Sequence, residues 1–159
     1  MEVRDPGELV TRAIIGGLLG GLAFGVWSAL IAGLHGMPMW SPLATYHTSF
    51  LGLAKHPLDT SALWQAVLTG FTWDAMLGMA TGGFLGLIFN AALGPHYGSR
   101  SQLALSGAVL GFLLWVVLAW ARLPFTAPAT SVHLTGWAIA VGYMIVGALA
   151  GAYAGVGTR

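Results

Sequence analysis

The sequence contains no cysteine, which excludes disulfides, thiolate catalysis, iron–sulfur clusters and cysteine-ligated zinc. Charge is nearly as scarce. Lys and Arg together number 6 and Asp and Glu 5, so that charged residues are 7% of the 159 positions, too few to coat a water-soluble globule of this size. A net charge of +1 without any basic cluster leaves no electrostatic footprint for following phosphates, and nucleic acid is excluded as a main partner.

What the chain has in quantity is apolar and small: 57% hydrophobic residues and 24 Gly, with a mean hydropathy of +0.79. Four stretches with few or no charges, about 10–34, 64–92, 103–121 and 134–155, can each cross roughly 30 Å of hydrocarbon at about 1.5 Å per helical residue. These lengths predict an all-α polytopic membrane protein with four transmembrane helices, a single transmembrane domain over 1–159. The first apolar run continues past the usual length of a signal h-region and reads as an uncleaved span. Asp5 as N-cap, Pro6 as first helical residue and Glu8 at the third position form a capping-box arrangement that starts this helix.

Arg4, Arg12, Arg100 and Arg159 fall on one side of the four spans and only Lys55 and Arg122 on the other. The positive-inside rule then puts both termini in the cytoplasm of a bacterium, with the spans in its inner membrane. Trp40, Trp64, Trp120 and Trp137 collect at the outer interface and Tyr97 and Tyr153 at the inner one, as interfacial aromatics do. The long outer connection, 36–63, opens with Ser41 as N-cap and Pro42 as first helical residue. Leu43, Tyr46, His47, Phe50, Leu51 and Ala54 follow at helical spacing, which predicts a short amphipathic helix on the outer surface.

Small residues recur every fourth position along two spans: Ala13, Gly17, Gly21, Gly25, Ala29 and Gly33 in the first, and Ala62, Ala66, Gly70, Asp74, Gly78, Gly82, Gly86, Asn90 and Gly94 in the second. On a helix this spacing makes a ridge, a glycine zipper of GxxxG type, against which a second backbone can come close in lipid. Gly17, Gly21, Gly25, Gly78, Gly82 and Gly86, with Gly147 and Gly151 of the fourth span, are the expected helix-packing positions. Gly21, Gly25, Pro38 and Pro42 are spaced like Gly107, Gly111, Pro124 and Pro128. That recurrence suggests a two-plus-two internal repeat about a pseudo-axis along the membrane normal.

Asp74 is the one acid well inside a span. A carboxylate in hydrocarbon costs several kcal/mol unless protonated, paired or wet, so it is either a proton or cation site or a neutral acid donating one hydrogen bond across a close helix pair. Thr72, Thr81 and groups on spans one and four are its expected neighbours. His35, His47, His56 and His133 all fall on the outer side, with Met37 and Met39 following His35. Imidazole with thioether suits copper, and paired His near helix ends can ligate haem. At helix ends and in loops these residues serve equally as hydrogen-bonded His and apolar packing, and no cofactor is expected. No phosphate loop or catalytic trio is readable, and the sequence does not argue for an enzyme.

The run from Gly17 to Pro42, a glycine-rich span followed by MWSPL, and the later GAVLGFLLWVV leading to Pro124 resemble uncharacterised small bacterial inner-membrane proteins of the YagU-like kind. The resemblance implies a membrane location and no particular chemistry. Where such proteins would carry a His near the start of the second span, this chain has Trp73 and Asp74. Two functions follow as expectations. One is a non-catalytic accessory subunit or assembly partner of a larger, energy-transducing bacterial membrane complex, because the glycine ridges exceed what four helices need for their own packing. The other is a small oligomeric proton or cation transporter or channel that uses Asp74. The implied partners are the lipid bilayer and either other transmembrane subunits or further copies of the chain.

Overall fold

The computed structural model describes residues 6–44, 60–93, 99–120 and 136–155. They form four long helices: α1 Pro6–Leu34, α2 Thr60–Leu93, α3 Arg100–Trp120 and α4 Gly136–Ala154. All four are long and apolar enough to cross a membrane, and their extents follow the apolar runs of the sequence. At about 1.5 Å per residue, α1 with 29 residues and α2 with 34 exceed a hydrocarbon core of roughly 30 Å, which α3 and α4 match.

The helix ends show why these stretches stop and start where they do. Gly36, at φ 74°, closes α1: the N–H of Met37 donates to Ala32 O at 2.9 Å and that of Gly36 to Gly33 O at 3.0 Å. This is the Schellman arrangement, which a residue other than glycine enters only with strain. At the start of α3 the N–H of Ser99 donates to Gln102 Oε1 at 2.8 Å, and the N–H of Gln102 donates back to Ser99 Oγ at 3.4 Å. That is a reciprocal capping box of the S-x-x-Q kind. On α1 the Glu8 carboxylate accepts from the Arg12 guanidinium one turn ahead; the expected box with Asp5 lies outside the described residues.

The helices stand in an open row, α2–α1–α4–α3. α1 packs along both α2 and α4, α3 packs extensively on α4 alone, and α2 makes a smaller contact with α4. Leu9 and Ala13 of α1, Leu85 and Phe89 of α2, Leu103 of α3 and Ala150 of α4 make one buried cluster. It lies at the end of the row where α1 and α3 begin. At the other end Trp27 Nε1 donates to Ala138 O at 2.8 Å, and its ring meets that of Trp137 edge-on at 6.3 Å. The outward stripes, Ile15, Leu22 and Val26 on α1 and Leu105, Phe112 and Val116 on α3, are exposed. In a bilayer such stripes face lipid.

Residues 41–44 are helical, but the turn begins one residue earlier than the expected cap. Ser41 is already inside it, and its hydroxyl donates to Pro38 O at 2.7 Å. This stretch also leaves the surface. Pro42 and Leu43 are buried, and the Leu43 backbone rests on Gly70 of α2. The remainder of the expected amphipathic helix, including His47, Phe50 and Leu51, lies outside the described residues, as do Tyr97 and the second pair of repeated prolines, Pro124 and Pro128.

Candidate functional site: a buried carboxyl between two hairpins

The glycines of α1 and α2 bring the two backbones into contact. A methyl placed on Gly17 would stand 2.8 Å from the Cα of Gly82, and one placed on Gly78 at 2.8 Å from the Cα of Gly21. Both distances are shorter than any side chain tolerates against backbone. The second hairpin repeats the device: Gly107 meets Gly147 and Gly151, and Gly147 meets Gly107 and the Cα of Gly111. Contact for contact, Ala13, Gly17 and Gly21 of α1 correspond to Leu103, Gly107 and Gly111 of α3. On the partner helices Asp74, Gly78 and Gly82 correspond to Tyr143, Gly147 and Gly151.

Two expectations are adjusted by this register. The sequence spacing aligned Gly21 and Gly25 with Gly107 and Gly111, whereas the packed helices align Gly17 and Gly21 with them, one turn earlier. The ridge is periodic, so its spacing alone does not say which turn faces which; the crossing point does. Nor are the hairpins related by a two-fold, since that operation would pack α3 against α2 as α1 packs against α4, and those two helices have no such contact.

A third adjustment concerns the surplus of glycine. α1 carries two small faces one residue apart: Gly17, Gly21 and Gly25 lie toward α2, while Gly16 meets Ala150 and Gly20 meets Val146 of α4. The ridges are occupied by packing within the chain. Gly86, the last of the expected positions on α2, rests on Val10 and Ala13.

Asp74 stands at the crossing. It is 1% exposed, and neither carboxyl oxygen has a hydrogen-bond partner among the described residues. As the twelfth residue of the 30-residue span Leu63–Ala92 it lies about 5 Å from the span's centre. Its Oδ2 lies over Gly25, 3.1 Å from where a methyl on that glycine would sit, and the Phe71 ring stands 2.8 Å from the same point. Thr72, expected beside it, is turned away: its hydroxyl donates to Leu68 O at 2.8 Å and is exposed.

α4 turns Tyr143 toward α1. Its ring is tilted against Phe24 at 6.0 Å, and the Phe24 ring in turn fills the space that glycine leaves at Gly142. The carboxyl on Gly25 and the phenol on Phe24 therefore flank consecutive residues of α1. Neither Tyr143 nor Trp27, which fastens α1 to α4, stood out in the sequence, because an aromatic residue in an apolar run looks like packing until its partner is known. The Ser99–Gln102 box was missed as well, although S-x-x-Q before an apolar run is its signature.

Of the candidate metal ligands only His35, Met37 and Met39 lie among the described residues. His35 Nδ1 donates to Ile31 O at 2.8 Å, capping its own helix, and Met39 packs its side chain on Gly33. Among the described residues no three or more of His, Asp and Glu gather as metal ligands would. His47, His56 and His133 lie outside them. Asn90 is half-buried at the far end of the α2 ridge.

Arg12 and Arg100 stand at one end of the row and Trp40, Trp64 and Trp137 at the other, all three Trp exposed. Tyr153 is half-buried, its Cβ against Gly16, and so serves the α1–α4 contact as well as that end of the row. The sequence matches no protein-family model, and no curated protein or solved structure is significantly similar to it. The likeness to YagU-like proteins accordingly stands on the placement of Gly, Pro and Trp alone.

Proposed function

We propose that the protein is a small proton-handling membrane protein in which Asp74 takes up and releases a proton where the two helical hairpins meet. The observation that carries this reading is the Asp74 carboxyl, 1% exposed and without a hydrogen bond to either oxygen among the described residues. An acid held in that way costs stability, and helix contact does not require it, since the neighbouring ridge positions are glycine. Ionisable groups inside spans mark ion or proton pathways, and in repeat-built transporters the site lies near the midplane between the repeats. A proton suits the surroundings better than a metal cation, because hard cations gather about six or more oxygens and the Asp74 carboxyl lies against Gly25 beside Phe71. The arginine distribution orients the chain with both termini in the cytoplasm of a bacterial inner membrane.

A second reading, an accessory subunit of a larger energy-transducing complex, draws support from α3. With 17% of its span buried against 44% for α1, α3 is held by one neighbour and offers the rest of its circumference to lipid or to another subunit.

Purified protein in liposomes, assayed for proton flux under a pH gradient of either sign, tests the first reading. Wild type is expected to carry protons, and Asp74→Asn, which keeps nearly the same shape but cannot ionise, to stop the flux without loss of fold. Absence of flux from the wild type alone would overturn the proposal in favour of the accessory subunit.

A further inference from the structure

The α1–α2 contact keeps a regular register as far as Asp74: Gly17 meets Gly78 and Gly82, and Gly21 meets the Asp74 backbone. One turn further the same register would set Gly25 on Gly70, and it does not. Gly25 meets the Phe71 ring and Asp74 Oδ2, while Gly70 meets the backbone of Leu43, whose Cα lies 2.8 Å from where a methyl on Gly70 would sit. The two helices therefore part just beyond the carboxyl, and the turn that follows α1 fills the wedge between them. Gly70 is the eighth residue of the span Leu63–Ala92, so the chain has come back about 10 Å into that span to reach it. Pro42 and Leu43 are fully buried there. The seat is particular to this hairpin: in the second, where Tyr143 takes the place of Asp74, Ile139 stands where Gly70 would and packs against Ile31 and Ala138.

The other approaches to Asp74 are shut by the long helices themselves. Toward the arginine end, backbone lies on backbone at Gly17, Gly21, Gly78 and Gly82, and beyond them Leu9, Ala13, Leu85 and Phe89 are buried together. Toward α4 the Phe24 ring fills the space at Gly142. On the tryptophan side the closure is a single turn of chain. Its backbone bonds are local, Ser41 N–H to Pro38 O and Ala44 N–H to Trp40 O, both at 2.9 Å, and they travel with the turn if it moves as a unit. Gly36, at φ 74° and with open space around it, is the pivot from which it hangs.

Resting on the proton reading, we infer that residues 38–44 are a plug over Asp74, and that the carboxyl exchanges its proton with the tryptophan-rich end of the row when Leu43 lifts off Gly70. On opening, a water molecule enters; the carboxyl O–H bond breaks, the proton leaves as hydronium and the carboxylate stays behind. Uptake is the reverse.

Asp74→Cys, the one thiol in a chain without cysteine, tests the plug without any measurement of flux. A small charged methanethiosulfonate that does not cross the membrane is applied from each side in turn, the sides being defined by whether Met37→Cys or Ser101→Cys is labelled. Labelling of Asp74→Cys is expected only from the Met37 side. Gly70→Ala sets a methyl against the Leu43 backbone and should speed that labelling at least about tenfold, a shift in open population within reach of overpacking. Leu43→Ala, which keeps the seat and removes the buried side chain, should act in the same direction. Gly82→Ala overpacks the same ridge on the far side of Asp74 and should leave the rate unchanged. Labelling from the Ser101 side, no labelling in any of these backgrounds, or equal acceleration by Gly82→Ala overturns the plug. Wild-type liposomes without proton flux, together with the expected labelling, overturn the proton reading and leave the plug as the entrance to Asp74.

Discussion

Asp74 and Tyr143 hold the same place in the two halves of the molecule: the backbone carbonyl of Asp74 lies against Gly21, and that of Tyr143 lies against Gly111. In each hairpin a glycine of the outgoing helix makes room for the carbonyl of a residue whose side chain is then carried into the space between the hairpins. The backbone device is duplicated while the chemistry differs, a carboxyl in one half and a phenol in the other.

The backbone contacts make the ridge positions intolerant of size. Gly82 lies against the backbone of Ala13, and a methyl placed on it would stand 3.0 Å from the Cα of Gly17, so that neither neighbour is a side chain able to swing aside. Gly82→Leu is expected to lose at least roughly 1–3 kcal/mol, the range of overpacking in a tight interior. Leu87→Ala, at a position 59% exposed, should change stability by no more than about 0.5 kcal/mol. Thermal unfolding in mild detergent measures both, and equal effects would contradict the close contact.

Removing the Asp74 carboxyl should not destabilise the fold. It makes no hydrogen bond to lose among the described residues, and an unsatisfied buried polar group costs about 1–3 kcal/mol, which outweighs the small void left by Asp74→Ala. The melting temperature of that variant is expected to equal or exceed that of wild type even though proton flux is gone. A clear fall would mean that the carboxyl has a stabilising partner.

Trp27 fastens α1 to α4 through its bond to Ala138 O at 2.8 Å. Trp27→Phe keeps an aromatic ring and removes the donor, and is expected to cost about 1 kcal/mol. Trp64→Phe, at a ring 63% exposed, serves as the comparison and should leave the unfolding midpoint where it is.

The absence of cysteine makes orientation simple to measure. With both termini cytoplasmic, a thiol reagent that does not cross the membrane should label Met37→Cys from outside intact cells and spare Ser101→Cys. The opposite pattern would invert the topology and move the tryptophan-rich end of the row to the cytoplasm.

The number and extent of the helices were determined by the sequence itself. In lipid every backbone group must be bonded within its own segment, so an apolar run of sufficient length has one available structure, and the runs at 10–34 and 103–121 could be measured without knowing their neighbours. Asp74 was legible for the same reason, as the one acid whose place in hydrocarbon demands a physical cause. Which faces meet was another matter. Gly16 and Gly17 are adjacent and chemically identical, yet one turns to α4 and the other to α2, and the turn of α3 that answers to Gly17 is a turn away from the one suggested by proline spacing. An apolar side chain is as well solvated by lipid as by another helix, so hydrophobic pattern carries no information about which neighbour it will have. Close fit of backbone against backbone decided that. The tertiary structure alone therefore set α3 at the edge of the row, left the Asp74 carboxyl without a donor among the described residues and put Tyr143 in the matching place of the second hairpin.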